Sequence, residues 1–240
     1  GESNTAEKKY VIGYSQSRLN HPYRVAMVNG NQEYVEQNMP DVEFIVTDGQ
    51  NDSNKQTADV ESLVARGVDV LLISPIASDA LTPIVKEVME KGVPVVTVDR
   101  RVNTPVTMHI GGDNYEIGKQ AAKYIAEKLG GKGNVVEIQG TAGASATVDR
   151  HQGFIDGLKD YPDIKIIAEQ HADYDRALGL KFMEDVIQRF GADQIDAVFA
   201  QSDSMGLGAM QALEEAGITG KIIVSIDGEN QTIDAIKEGR

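Results

Sequence analysis

Asp99 and Arg100 stand side by side at the end of an apolar run over 93–98, and a carboxylate beside a guanidinium there can bind polar groups or exchange protons with them. They are not alone. Nearly every apolar run of strand length in the chain stops at a polar residue: Gln16, Asp48, Ser74, Asp99, Gln139, Asp173, Ser202 and Asp227. Some of these suit a helix cap, since Asp and Ser side chains accept from the first free N–H groups of a helix. Capping does not account for Arg100, because a cation at a helix N-terminus opposes the helix dipole. Catalysis needs more than this set provides. His21, His109, His151 and His171 show no metal-ligand spacing, no serine lies in a nucleophile elbow, and the absence of cysteine removes thiol nucleophiles, thiolate metal sites and disulfides. The loop 140–145 has neither three spaced glycines nor a P-loop Lys-Ser/Thr, and reads as a tight turn. The Asp- and Asn-rich stretch 48–54 lacks the glycine and distal glutamate of a calcium loop, and reads as a solvated turn with a helix cap. No catalytic residue, no metal and no cofactor are therefore expected. What remains, Arg and Asp side chains with Tyr23 and Tyr174, suits a neutral polyhydroxylated ligand. Charged groups make strong hydrogen bonds to hydroxyls, and aromatic faces cover apolar C–H patches. A donor or acceptor left unpaired by the wrong epimer costs about 1–3 kcal/mol, so such a site discriminates.

These residues need elements to position them. Apolar runs over 10–14, 43–47, 68–73 and 93–100 alternate with helical periodicities carrying Val25, Val28 and Val35, then Val60 and Leu63, then Leu81, Ile84, Val85 and Val88. Pro22 suits the first position of a helix, Gly67 and Gly92 are placed to stop helices, and Ser78 is expected as an N-cap. Strands alternating with helices predict a parallel sheet covered on both faces, with ligands at the carboxyl ends of the strands. After a strand expected over 106–110, the pair Gly111-Gly112 suits a tight turn or a hinge, and the pattern restarts. Strands are expected over 135–138, 164–168, 197–200 and 222–226, each followed by a helix.

The chain has 240 residues, 41% of them apolar, enough for one large or two modest domains. A net charge of −14 argues against nucleic acid or an anionic membrane surface as partner. No apolar run approaches membrane-spanning length. The polar stretch 1–9 is expected as a flexible leader; it fits either an export segment processed just upstream or an arbitrary chain boundary.

Over nearly its whole length the sequence resembles the periplasmic sugar-binding proteins of the ribose and galactofuranose type, the solute receptors of ABC transporters. The matching stretches are 15–24, 71–75, 95–100, 139–145 with Asp149-Arg150 and Gly153-Phe154, 172–176, 200–205 and 226–228. The resemblance implies a type I periplasmic binding protein: two Rossmann-like three-layer α/β/α lobes with parallel sheets joined by a hinge, with sugar bound between them. The lobes are expected as 1–110 and 111–240. It implies ligand contacts from Ser15, Gln16, His21, Tyr23, Arg24, Ser74, Asp99, Arg100, Thr141, Arg150, Tyr174, Ser202 and Asp227, with Tyr174 as an aromatic wall.

An aromatic followed by arginine, Tyr23-Arg24, looks more like the galactofuranose type. Ser74 and Ser202 stand where ribose receptors have asparagine, so strict ribose specificity is not implied. The family also continues past the position of Arg240 with a return strand and a helix, and a sequence cut short is the expectation. The implied protein is no enzyme. It is an exported bacterial receptor, periplasmic or extracellular and membrane-anchored, with a lipid anchor possible upstream of residue 1. It would act as a monomer, bind a monosaccharide and dock on a membrane permease. The sugar-sensing module of a LacI-type repressor or of a receptor kinase shares this architecture and is the alternative.

Overall fold

The computed structural model describes residues 7–240, so the leader expected over 1–9 lies mostly outside the described residues. The chain divides into two compact units, the first running to Gly112 and including Gly143–Ser145, the second formed by Asp113–Ala142 and Ala146–Arg240.

The first unit alternates β1 (Tyr10–Gln16), α1 (Pro22–Asn38), β2 (Val42–Asp48), α2 (Ser53–Ala65), β3 (Val70–Ile73), α3 (Ser78–Glu90), β4 (Val95–Val98) and β5 (Met108–Ile110). All pairings are parallel, in the order β2-β1-β3-β4-β5. β-Branched runs buried on both faces favour this arrangement over an alternating antiparallel sheet. Leu71, Ile73 and Val95 pack with Val60 and Leu63 of α2 and with Leu81, Val85 and Val88 of α3. Helix starts follow local chemistry: Pro22 opens α1, and the Asp52 carboxylate accepts from the N–H groups of Asn54 and Lys55 to cap α2.

Two local expectations change. Ser78 is the first helical residue rather than the cap; Ala77 takes that place without a side-chain bond, and the Ser78 hydroxyl donates to the Arg101 carbonyl at 2.7 Å. The strand read over 93–100 narrows to four residues, because Asp99 turns to φ 66°, outside the extended region.

The second unit contains α4 (Asn114–Lys128), β6 (Lys132–Gln139), α5 (Ser145–Leu158), β7 (Asp163–His171), α6 (Arg176–Phe190), β8 (Ala197–Ala200), α7 (Asp203–Glu215), β9 (Ile222–Val224) and α8 (Asn230–Lys237). Its parallel order is β7-β6-β8-β9. Side chains alternate along β6: Val136 and Ile138 join the core that includes Phe182 and Met183 of α6, while Val135 joins Phe154 and Phe199 on the α4 and α5 side. The same period of two aims Glu137 at α5, into a layer where its neighbours are apolar. In each unit the first long strand is flanked by the two strands that follow it in sequence, β1 by β2 and β3, and β6 by β7 and β8. Such reversals of strand order open a crevice at the carboxyl ends.

Candidate functional site

In the first unit the register places Ser15 opposite Thr47 and Ile73, and Gln16 opposite Asp48, so the polar ends of β1, β2 and β3 are level. Ser15, Gln16 and Ser74 are wholly buried and belong to one network. The Tyr14 hydroxyl lies 3.0 Å from Ser74 Oγ, which donates to the Val98 carbonyl at 2.9 Å, and Gln16 Nε2 donates to Tyr14 Oη at 3.2 Å. Burial raises the Tyr14 pKa, so its hydroxyl keeps its proton. Gln56 locks these ends together: its amide donates to Ser15 Oγ and to the Ser74 carbonyl, and its Oε1 accepts from Ile76 N at 2.9 Å.

Beside this network lie the charges. Arg24, on α1, reaches Asp99 past β4 with Nη2 to Oδ2 at 2.6 Å, and both side chains are buried. Arg24 Nη1 is also buried and has no hydrogen-bond partner among the described residues. Its guanidinium lies 5.5 Å from the centroid of Tyr23, a half-exposed ring. His21 caps α1, its Nδ1 accepting from Tyr23 N. Arg100 is only 1% exposed and directs Nη1 at the carbonyls of Pro75 and Ile76.

In the second unit Thr141 donates to Asp173 at 2.7 Å, and Arg150, buried on α5, donates from Nε to Asn114 Oδ1 at 2.9 Å and from Nη1 to the Gln201 carbonyl at 2.7 Å. Tyr174 is mostly enclosed, its hydroxyl 2.8 Å from Thr147 Oγ1. Ser202 caps α7 through Met205 N. Asp203, the next residue, accepts from the Ser225 hydroxyl and from the N–H groups of Gly228 and Glu229, the latter two at 2.8 Å. It thereby fixes the turn that carries Asp227. Capping thus accounts for Ser202 but for neither Asp99 nor Asp227. Asp99, Asp173, Tyr174 and Asp227 all have positive φ, between 55° and 135°, at or near the ends of strands. Backbone held in sparsely populated regions by its surroundings is a mark of ligand-binding places.

Residues 12–240 match the family of the periplasmic binding protein domain. The chain belongs to this family. It is 40% identical over 238 residues to the ribose import binding protein of Bacillus subtilis (strain 168), covering 98% of this chain and 76% of that protein. Among solved structures it is similar to a galactofuranose binding protein, with a TM-score of 0.91 and 34% identity over 96% of this chain and 80% of that one. It is similar also to the periplasmic binding protein component of the arabinose ABC transporter from Shewanella sp. ANA-3, bound to α- and β-L-arabinofuranose. There the TM-score is 0.90 and the identity 30%, over 95% of this chain and 78% of that one. The type I fold expected from the sequence, with two parallel α/β lobes, is the fold of these proteins. Among the described residues, no helix is long and apolar enough to cross a membrane.

Within each unit of this periplasmic binding protein, the residues expected from the sequence gather at the carboxyl ends of the strands or on the adjoining helix turns. Ser15, Gln16, His21, Tyr23, Arg24, Ser74, Asp99 and Arg100 do so in the first, and Thr141, Arg150, Tyr174, Ser202 and Asp227 in the second. Sequence reading missed their supports. Gln56 shares a helix face with Val60 and Leu63, and a polar residue on an apolar stripe is the signal that could have found it. Asp203 follows a strand end and carried no role; nothing in the sequence marks Asn114 as the partner of Arg150.

Tyr174 depends on Gly140. A Cβ at residue 140 would lie 2.0 Å from the Tyr174 ring, so Gly140→Ala must displace the ring. The expected cost is about 1–3 kcal/mol of stability, together with weaker ligand binding. Urea unfolding and ligand titration of this variant check both.

Glu137 is wholly buried and bonds through both oxygens to His151 Nδ1, at 2.8 and 2.9 Å. Burial pushes its pKa up to about 7, against the opposing attraction of His151. Because the fold holds the proton more tightly than the unfolded chain does, this contribution to stability is present in full below about pH 4.5. It is lost as the pH rises through about 7.

Proposed function

We propose that this protein is an extracytoplasmic solute receptor that captures one monosaccharide between its two lobes and delivers it to the membrane permease of an ABC transporter. The sugar is a pentose or hexose, in a furanose form such as ribose, arabinofuranose or galactofuranose. The protein is exported, acts as a monomer and performs no chemistry on its ligand. Arg24, Asp99 and Arg100 from the first lobe, and Arg150 and Asp227 from the second, bond the ring hydroxyls. Tyr23 and Tyr174 face its C–H patches, and Ser15, Gln16, His21, Ser74, Thr141 and Ser202 complete the surroundings.

One observation carries this reading: the buried Arg24–Asp99 pair, with Arg24 Nη1 still holding a donor that no described residue accepts. A buried donor left unmade costs about 1–3 kcal/mol, which a ligand hydroxyl accepting there would restore. The opposite charges of the pair offset each other, which favours a neutral hydroxylated ligand over an anion. The relatives support the class, since they are named for ribose, galactofuranose and arabinose.

Equilibrium dialysis against labelled ribose, arabinose and galactose tests the reading. Saturable uptake at one site per chain, with the sugar recovered chemically unchanged, is the expected result. Conversion of the sugar, or no uptake of any, contradicts it.

A further inference from the structure

The pair Glu137–His151 lies behind the polar face of the second unit, not in it, and no ligand contact expected above uses it. Its position is unusual because Glu137 occupies a mid-strand site on the side of the sheet where Val135, Phe154 and Phe199 form a core. A carboxylate there has to be held by hydrogen bonds. His151, on α5, supplies such a bond at 2.8 Å, and the side-chain amide of Gln201 also favours the ionised form.

Gln201 is where the consequence leads. It is wholly buried, and its Oε1 accepts from Gly140 N at 3.0 Å while its Nε2 donates to the Thr147 carbonyl at 3.2 Å. Its own carbonyl accepts from Arg150 Nη1 at 2.7 Å. Gln201 thus holds, through its side chain, the turn before Thr141 and the first turns of α5, and, through its backbone carbonyl, the guanidinium of Arg150. His151 is the residue next to Arg150 in the chain.

We propose that Glu137 is a positioning residue for the sugar site of the second unit: through Gln201 and His151 it sets Arg150 and the Gly140 turn, so that ligand affinity depends on whether Glu137 carries a proton. This rests on the sugar-receptor reading above. An ionised Glu137 makes charge-assisted hydrogen bonds to His151 and attracts the Gln201 amide, and protonation weakens both because one oxygen then becomes a donor. Affinity therefore rises with pH through neutrality. Burial, which makes ionisation hard at this place, brings the change into the range around pH 7.

The groups facing Glu137 are His151 from α5, Gln201 after β8 and Glu169 from β7, whose carboxylate lies within 4.8 Å of the Glu137 and His151 atoms. Glu169 is exposed and adds like charge. His171 is a separate titratable neighbour of the site, with Nδ1 3.0 Å from the Gly140 carbonyl. It has to be separated from Glu137 by experiment.

The experiment compares wild type, Glu137→Gln and His171→Gln. Affinities for ribose, arabinose and galactose are measured by calorimetry from pH 6 to 8, and the Arg150 Nε–H and Gln201 side-chain amide resonances are followed by NMR over the same range without sugar. In wild type at least a threefold rise in affinity is expected, with a matching titration of both resonances. In Glu137→Gln both become flat, and in His171→Gln both persist. If Glu137→Gln does not fold, His151→Gln, at a position about a third exposed, serves instead and must shift the midpoint of both curves. A flat wild-type profile, a slope kept in Glu137→Gln, or resonances that ignore pH would overturn the proposal. Binding of no sugar at any pH, with the resonances still titrating, would reject the sugar reading and leave the positioning role of Glu137 standing.

Discussion

Replacing Asp99 with alanine is expected to abolish sugar binding and to lower folding stability by about 3–5 kcal/mol. The effect is large because Asp99 and Arg24 are both buried and meet at 2.6 Å. Removing the carboxylate strands a guanidinium that already has one buried nitrogen without a hydrogen-bond partner among the described residues. Alanine also fits the backbone poorly, since φ is 66° and Asp is one of the few side chains that tolerates the left-handed region. A double replacement, Arg24→Met with Asp99→Asn, which keeps a side chain that tolerates the left-handed region, separates the two losses. It removes both charges together, so much of the stability should return while binding does not. Urea unfolding and sugar calorimetry of the single and double variants provide the check. An Asp99→Ala protein with wild-type stability and affinity would contradict the assignment.

Gly153→Ala is expected to be nearly as damaging, by a different route. A Cβ at residue 153 would lie 1.9 Å from the Tyr115 carbonyl oxygen, a backbone atom that cannot swing aside. The reciprocal contact is as tight, since a Cβ on Gly118 would come within 2.1 Å of the Arg150 carbonyl. α4 and α5 approach through glycine, and adding a methyl group must push them apart. Overpacking of this kind costs about 1–3 kcal/mol and occasionally more, and the upper end is expected here. Arg150 rides on α5, so sugar affinity should fall with stability. Gly30→Ala, in the exposed part of α1 with nothing near its Cβ, is the control. It should stabilise by about 0.5–1 kcal/mol, from helix propensity alone. Equal effects of the two replacements in thermal unfolding would show that the helix contact is not as tight as drawn.

The alternation of strands and helices was legible because buried parallel strands are short β-branched runs and their helices carry an apolar stripe. Strand ends were legible too, as polar residues stopping those runs. What local pattern could not provide was the distinction among them. Ser202 and Asp99 look alike in sequence, yet one caps a helix and the other turns left-handed and pairs with an arginine 75 residues away. That difference is made by long-range contacts. The same holds for Ser78, which looks like a cap but spends its hydroxyl on the Arg101 carbonyl. Glu137 was hidden for the opposite reason: within a run of apolar residues a single glutamate reads as an outward-facing position. Only the packing of α5 against β6 shows it buried.

The central claim, that this periplasmic binding protein is a receptor for a monosaccharide, is tested most directly by thermal unfolding with a panel of pentoses and hexoses. A ligand bound by the folded chain alone adds about 2.7 kcal/mol when present at 100 times its dissociation constant. For a chain of this size that corresponds to a rise in Tm of roughly 5–10 °C. The expected result is such a rise with one or a few related sugars, lost in Asp99→Ala. Unfolding at the same temperature with every sugar in the panel would contradict the claim.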